Sequence, residues 1–481
     1  KIIAMGKYDY DVVIVGSGSN GLAAAIYLQS KGLKTIVVEK ESMLGGATKT
    51  TELTLPGYKH DVGAAVLPMA YSSPFFQQLP LEDFGLEWIY PEIPFAQTLG
   101  NSNNFGAVAC YQDIDKTAAQ LGADESTYRK FMRTRIEDWP LVSNDILAPI
   151  KIPENPLQFL DFGRSAILSA RTFTRLKFKT EESKVLFYGA AAHSTLPLNS
   201  TASASFGLVL MIMAHLNGWP FPKSGAGQII EALAKYYIHV GGEVKVNSAI
   251  EDFNQIPNSK VQVFDLTPKQ LLTIKSLPLS ALYQKRLSNF KYGAGIFKMD
   301  WALRAPVPFK NKILRKAGTV HIGFSSSEIE NSEKIVNQGK LPGTPYVLLV
   351  QPSVFDHSRT PDSGHTVWAY CHVPNGNTKD CTKIIESQIE RAAPGFGKLI
   401  LKRHLMNTRQ LEEFDANLVG GDINGGKQDI TQLFTRPVAK LSPYKTSNNN
   451  IYICSSSTPP GGGVHGMAGF NAAKQVLKDH F

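Results

Sequence analysis

Residues 11–39 read DVVIVGSGSNGLAAAIYLQSKGLKTIVVE, and this stretch decides the fold. Asp11-Val-Val-Ile-Val15 is a continuous apolar run behind its leading aspartate, the pattern of a strand buried on both faces of a parallel sheet. Gly16-Ser-Gly18-Ser-Asn-Gly21 is a turn, residues 22–31 read as a helix ended by Gly32, and residues 35–38 as a second strand. That is a βαβ unit, whose crossover is right-handed. Gly16 permits the tight turn, Gly18 lets the backbone approach a pyrophosphate, and Gly21 allows close packing of helix on strand. The free N–H groups and dipole of the helix start favour the anion. Glu39 closes the second strand eighteen residues after Gly21, where a carboxylate accepts hydrogen bonds from a ribose diol and repels a 2′-phosphate. The stretch predicts dinucleotide binding.

Two further glycine clusters work outward from it. Leu44-Gly45-Gly46-Ala47-Thr48 follows shortly after Glu39, and a second glycine pair there lets backbone pass along a longer ligand. Near the other end, Thr458-Pro-Pro-Gly-Gly-Gly463-Val464 leads into a helix over residues 466–478. Such a helix start stabilises negative charge on a reduced ring. Between these ends lie a helix over 225–241, strands at 243–246 and 261–264, and strand-like runs at 294–303, 346–350 and 366–372. Residues 79–216 are aromatic, proline-bearing and helical without βαβ alternation, which predicts a separate layer. Gly225-Ala-Gly227 follows Trp219-Pro-Phe-Pro222 rather than a strand and opens a helix, so it is not a second nucleotide site.

Composition narrows the class. The chain has 481 residues, 43% hydrophobic and 19% charged, which is globular usage and too much for one simple core. Cys110, Cys371, Cys381 and Cys454 are too widely spaced for a disulfide scaffold or a zinc ribbon, no metal site is expected, and a reduced, cytoplasmic setting is. Residues 1–7 have no apolar core of a signal peptide. The longest apolar run, Ser205 to Leu216, is far short of the roughly 20 residues of a spanning helix. The net charge of +9 gathers in part at Arg164, Arg171, Arg175, Lys177 and Lys179, and again at Lys310, Lys312, Arg315 and Lys316. Such stripes are usually solvated faces; the partner they would suit is an anionic membrane surface met peripherally. Nothing resembles a nucleic-acid module.

These residues together resemble the flavin-dependent amine oxidase superfamily, in its phytoene dehydrogenase-related branch, which includes the pyridine nucleotide-disulfide oxidoreductase domain 2 group. The resemblance spans nearly the whole chain. It rests on the first fingerprint, on Gly45-Gly46-Ala47 with Pro56-Gly57-Tyr58 and Asp61-Val-Gly63, on residues 225–247, and on Tyr452-Ile-Cys454 through Gly461-Gly-Gly-Val-His-Gly466. It implies an α/β fold: a Rossmann-like FAD-binding domain (1–75, 216–295 and 415–481) interleaved with an α+β substrate domain on a mixed sheet (76–215 and 296–414). It implies FAD held by Gly16, Gly18, Ser19, Asn20, Gly21, Glu39, Lys40, Gly45, Gly46, Ala47, Thr48, Val246, Gly462, Gly463 and Val464. Glu39 would hold the adenosine ribose, Val246 would lie against the adenine, and Gly463 and Val464 would approach the isoalloxazine. Many members carry Arg where this chain has Ala47, which points away from typical amine oxidases, and Ser455 replaces a frequent glycine.

Catalytic candidates are three. Lys298 sits where relatives place a lysine that holds a water near flavin N5, although a strand lysine more often faces solvent. His465 lies in the glycine turn expected at the flavin and could move a proton near neutral pH, or simply bond backbone. His193, in Ala-Ala-Ala-His-Ser, is a third; it and His372 also read as satisfied core histidines. The run Ser205 to Leu216 suits a buried helix, its methionines filling gaps, or the wall of an apolar channel. The expected activity is hydride removal from a hydrophobic substrate, with C–C desaturation ahead of amine oxidation or reduced-flavin isomerisation, and oxygen or a quinone as acceptor. No second fingerprint marks a dedicated NAD(P)H domain. A non-catalytic FAD scaffold acting through a partner is the reading of another class.

Overall fold

In the computed structural model, residues 8–100, 105–361 and 363–481 are described; the leading segment, 1–7, lies outside them. Five parallel strands form one sheet in the order Ile451–Ile453, Ser259–Phe264, Tyr10–Val15, Thr35–Val38, Glu243–Lys245. Their side chains alternate between two cores, as the period of a strand requires. Val12, Ile14, Val37, Val261 and Val263 face Leu22, Ile229, Leu233, Met467 and Val476, which come from the helices Ser19–Ser30, Gly227–His239 and Met467–His480. Val13, Val15, Ile36, Val38 and Phe264 face Leu271, Leu279, Tyr283 and Leu287 on the other side. The middle of the sheet is covered on both faces, so Val12–Val15 and Ile36–Val38 read as unbroken apolar runs, while the edge strand Glu243–Lys245 keeps two exposed charges.

A second sheet has seven strands in the order Ile400–Met406, Gly295–Leu303, His365–Val373, Val347–Val350, Ala317–Ile322, Ile93–Gly100, Phe105–Cys110. All its pairings are antiparallel but one, Ala317–Ile322 on Ile93–Gly100. One face packs on the helix Thr382–Ala392. The other carries a layer that includes Glu125–Ile146, Pro156–Ala166, Glu181–Ala191 and Ser203–Asn217. The hairpin Ile93–Gly100/Phe105–Cys110 falls in the region expected to be a separate layer and belongs instead to this sheet. The helix Ser203–Asn217 serves both expected roles: Leu208, Met211, Ile212 and Met213 are core, while Phe206, Val209 and Leu210 wall a cavity. Among the described residues no helix is long and apolar enough to cross a membrane.

The two sheets are joined by a buried charge cluster. Asp61, at the end of the short hairpin strand Lys59–Asp61, accepts hydrogen bonds from Thr50 Oγ1 (2.6 Å) and from the Ala226 N–H (2.8 Å) with one oxygen, and from Arg359 Nη1 (2.9 Å) with the other. Arg359 also donates to Asp356 at 2.9 Å, and Asp356 accepts the Ser224 N–H at 2.7 Å. Asp61 and Arg359 are almost wholly buried. Removing one partner of such a pair strands the other charge, at about 3–5 kcal/mol. Arg359→Met should lower the urea midpoint by that order, and a midpoint within error of wild type would show that the cluster does not hold the halves together.

Candidate functional site

A cavity of about 1010 Å³ lies where the two sheets meet. One end is built by the carboxyl ends of the parallel strands, where ligands of open α/β sheets bind. Gly16 turns with φ +99°, and a Cβ on Gly21 would lie 2.2 Å from the Gly16 carbonyl oxygen, so the helix Ser19–Ser30 starts hard against the first strand. Its N-cap residue, Gly18, has no side chain to cap it, leaving the N–H groups of Ser19 and Asn20 for a ligand. Glu39 is fixed at the end of the second strand by the Ser17 N–H (3.0 Å), the Ser17 hydroxyl (2.6 Å) and the Glu41 N–H (2.9 Å). The Gly45 N–H donates to Ser17 Oγ at 3.1 Å, which draws the second glycine pair onto the first turn.

The expected cofactor residues separate cleanly. Gly16, Gly18, Ser19, Asn20, Glu39, Lys40, Gly45, Gly46, Ala47, Thr48, Gly462, Gly463 and Val464 all line this one cavity. Gly21 does not; it is sealed between Gly16 and Asp265 and acts through helix packing. Val246 does not either. It is 37% exposed, because the backbone turns at Asn247 (φ +51°) and brings Ser248, Ala249, Ile250 and Glu251 to the cavity instead. Residues 425–463 reach it through Gly425, Ser455, Ser456 and the C-terminal glycines, and Asn20 is stitched to this segment by a 3.5 Å contact to Ser456 Oγ.

Two of the catalytic candidates are corrected. Lys298 is outside the cavity lining and neither solvent-facing nor free: it is fully buried and ion-paired with Asp300, next to His60 and beside Trp368. The hairpin Lys59–Asp61 covers that part of its strand, which is why the ammonium is closed off. His465 lines the cavity, but its ring is committed to backbone. Nδ1 accepts the Met467 N–H at 3.0 Å, and the ring bonds the backbone of Gly461 and Gly462. Burial pushes its pKa down to about 4. It starts the last helix after Gly466, which has no side chain to do so. His193 does face the cavity, and its Nε2 lies 3.1 Å from Nε2 of His321. His372 is the core histidine expected, paired with Glu333 at 2.8 Å.

Sequence reasoning missed Asp265 and Asp415. Asp265 follows the strand Ser259–Phe264 directly, and that position at a strand's carboxyl end was the available signal. Its Oδ2 accepts the Gly21 N–H at 2.9 Å, and a Cβ on Gly18 would meet it at 2.5 Å. Burial pushes the Asp265 carboxyl up to about 7, Asp415 and Glu39 adding to the rise and the Gly21 N–H opposing it. An acid whose folded pKa lies above its unfolded one subtracts stability as pH rises from about 4 to 7, at most about 4 kcal/mol in all. Asp265→Asn should match wild type near pH 4 and be the more stable at pH 8 by urea denaturation. Parallel curves for the two proteins would refute a neutral Asp265.

The other end of the cavity is apolar, lined by Phe159, Phe162, Phe206, Val209, Leu210, Trp219, Leu348, Trp368 and Tyr370. The Asp145 carboxylate at its edge is held by Lys151 at 2.8 Å.

Comparisons with known proteins fit this site. Residues 14–79 match the model of an NAD(P)-binding Rossmann-like domain. The rat pyridine nucleotide-disulfide oxidoreductase domain-containing protein 2 is 24% identical, the match covering 98% of this chain and 94% of that protein. The lycopene-forming phytoene desaturase of Pseudescherichia vulneris is 23% identical over 95% of this chain and 96% of its own. Wild-type putrescine oxidase shares the fold, with a TM-score of 0.62 at 16% identity over 98% of this chain and 99% of that one. The dinucleotide turn opening into an apolar chamber thus belongs to a chain that is similar along nearly its whole length to a pyridine nucleotide-disulfide oxidoreductase domain-containing protein 2 and to a phytoene desaturase, and that shares its fold with putrescine oxidase.

Proposed function

We propose that the protein binds FAD and dehydrogenates an apolar substrate, with desaturation of a C–C bond ahead of amine oxidation. The observation that carries this is the single cavity running from the glycine fingerprint to an aromatic and aliphatic chamber. Its polar end suits the cofactor: backbone N–H groups at Gly18–Asn20 for the pyrophosphate, Glu39 for the ribose, and the turns at Gly45–Gly46 and Gly462–Val464 for close approach. When bound, FAD supplies a two-electron hydride acceptor, and oxygen or a quinone would restore it. The chamber supports the choice of substrate. Its carboxylates cluster at the nucleotide end, and Asp145 is spent on Lys151, so no free anion waits for a substrate ammonium among the described apolar-end residues. Acid precipitation of the purified protein should release a yellow supernatant identified as FAD, and anaerobic addition of apolar polyenes should bleach the bound flavin. A colourless protein that takes up no FAD would overturn the reading, and bleaching by amines alone would overturn the substrate choice.

The chamber's mouth supports a membrane partner. Ile150 lines the cavity yet is 72% exposed, and Ile152, Leu157 and Leu160 beside it are 91%, 78% and 63% exposed. Leu157, Leu160, Arg164 and Ile167 fall on one stripe of the Pro156–Ala166 helix and its end. Arg164, Arg175 and Lys179 have no ion-pair partner among the described residues. Exposed aliphatic tips with Arg164 on the same stripe fit an anionic bilayer surface, a basic residue there adding about 1 kcal/mol. The protein should co-sediment with phosphatidylglycerol vesicles, more weakly at high salt and at least tenfold more weakly for Ile152→Asp/Leu157→Asp. Binding that ignores both salt and this variant would exclude the surface.

A further inference from the structure

Gly189, on the helix Glu181–Ala191, is a glycine because two polar atoms occupy the space above it. A Cβ there would lie 2.4 Å from Gln97 Oε1 and 2.6 Å from His321 Nδ1. Both atoms are buried, and neither has another hydrogen-bond partner in the protein. The Gln97 amide is oriented by its other end, since Nε2 donates to Gly323 O at 2.6 Å and to Thr98 O at 3.2 Å. Flipped, it would set oxygen against two carbonyl oxygens. Oε1 therefore faces Gly189 and His321. A bare Nδ1 on His321 would set lone pair against lone pair; an Nδ1–H gives both orphaned atoms a partner, directly or through one water.

The rest of the chain follows from that proton. Neutral His321 protonated on Nδ1 has a bare Nε2, an acceptor. It lies 3.1 Å from His193 Nε2, so His193 donates there and keeps its own Nδ1 bare. Among the described residues no group bonds this Nδ1, it is not a sealed orphan atom, and His193 lines the cavity. The backbone of His193 is tied to the C-terminal glycine turn through Asn424: Asn424 Nδ2 reaches His193 O at 3.5 Å, and a Cβ on Gly462 would meet the Asn424 backbone at 2.8 Å.

We infer that His193 Nδ1 is the proton acceptor of the reaction, and that His321 and Gln97 are positioning residues that aim its lone pair into the cavity. This rests on the dehydrogenation proposed above, in which two hydrogens leave neighbouring substrate atoms. One leaves as hydride, with its electron pair, to the flavin; the other leaves as a proton to His193 Nδ1, and the electron pair it leaves behind becomes the new double bond. Once hydride departs, the adjacent C–H is strongly acidic, so a weak neutral base suffices. Burial pushes His193 down to about 3, with the nearby His372 adding to the fall, and burial likewise pushes His321 well below the usual imidazole range. The other groups around the pair are Trp219, Tyr346, whose hydroxyl donates to Gly189 O at 2.8 Å, and the His372–Glu333 pair. The lone pair is thus available throughout the neutral range.

The hydrogen-bond chain is read by two-bond proton–nitrogen spectra of the flavin-bearing protein labelled in histidine, with peaks assigned through His193→Gln and His321→Gln. His193 should carry its proton on Nε2 and His321 on Nδ1. Gln97→Met should let both rings populate the other tautomer, and Gln97→Glu, which keeps an oxygen, should preserve the pattern. A proton on His193 Nδ1, or tautomers indifferent to Gln97→Met, would overturn the inference. With a substrate that bleaches the wild-type flavin, His193→Phe should slow bleaching about 10²-fold or more at little-changed half-saturation; an unchanged rate would overturn the proton-acceptor role. Flavin content of the same samples keeps the two readings apart. Loss of flavin with tautomers intact removes the proposed function alone, whereas reversed tautomers at full flavin remove only this inference.

Discussion

The carboxylate of Asp61 is the point on which the architecture turns. It belongs to a hairpin of the nucleotide half, it holds the start of the helix Gly227–His239 through the Ala226 N–H, and it meets Arg359 from the segment before the strand His365–Val373. A buried ion pair is weak support for stability in itself, because desolvation offsets much of the attraction. Its effect is on geometry. Buried together, Asp61 and Arg359 fix the hairpin, the helix start at Ala226 and the segment before His365–Val373 against one another, and so tie the two halves across the cavity. Lys298 and Asp300 close their own charges in the same cluster, so none of it reaches the cavity.

Around the nucleotide end, the constraint is an excess of negative charge. Glu39, Asp265 and Asp415 all face a site whose ligand would bring more. Glu39 is offset by three donors. Asp265 has the Gly21 N–H and the helix start, yet burial still drives its carboxyl upward, as it does that of Asp415. A neutral acid in this position has an O–H to donate, which turns a repelling neighbour into a hydrogen-bond donor toward an anion. The glycines at 16, 18 and 21 therefore do two jobs: they admit the ligand's backbone contacts, and they leave room for the acid beside them.

The sequence made the parallel sheet legible because its strands are buried on both faces and its turns are glycine motifs whose spacing has a mechanical meaning. Where it failed, the missing information was always a distant partner. The hairpin Ile93–Gly100/Phe105–Cys110 shows no alternation since Gln97 and Thr98 sit inside, the Gln97 Nε2 and the Thr98 hydroxyl bonding the backbone of Gly323, more than 200 positions away. Lys298 could be placed on a strand, but nothing local says that the hairpin Lys59–Asp61 covers it. Val246 was expected at the cavity on resemblance, and the positive φ at Asn247 carried the backbone past it. Asp265 drew no reading from the sequence, although its place directly after a core strand was visible.

The same absence of charge at the apolar end ties the histidines together. His193, His321 and His465 are all driven to the neutral form by burial, but only one of them has a nitrogen left over. His465 spends its ring on backbone and so builds the turn; His321 faces His193 with Nε2 and, in the inference above, gives its Nδ1 proton to the side of Gln97. What remains is a single lone pair, on His193, in a chamber of aromatic and aliphatic side chains. An apolar substrate pays no electrostatic penalty to lie against a neutral imidazole, whereas a charged lysine or imidazolium in that place would keep its water and hold the substrate off. Gln97, three bonds removed from the cavity, is therefore as much a part of the chamber's chemistry as the residues that line it.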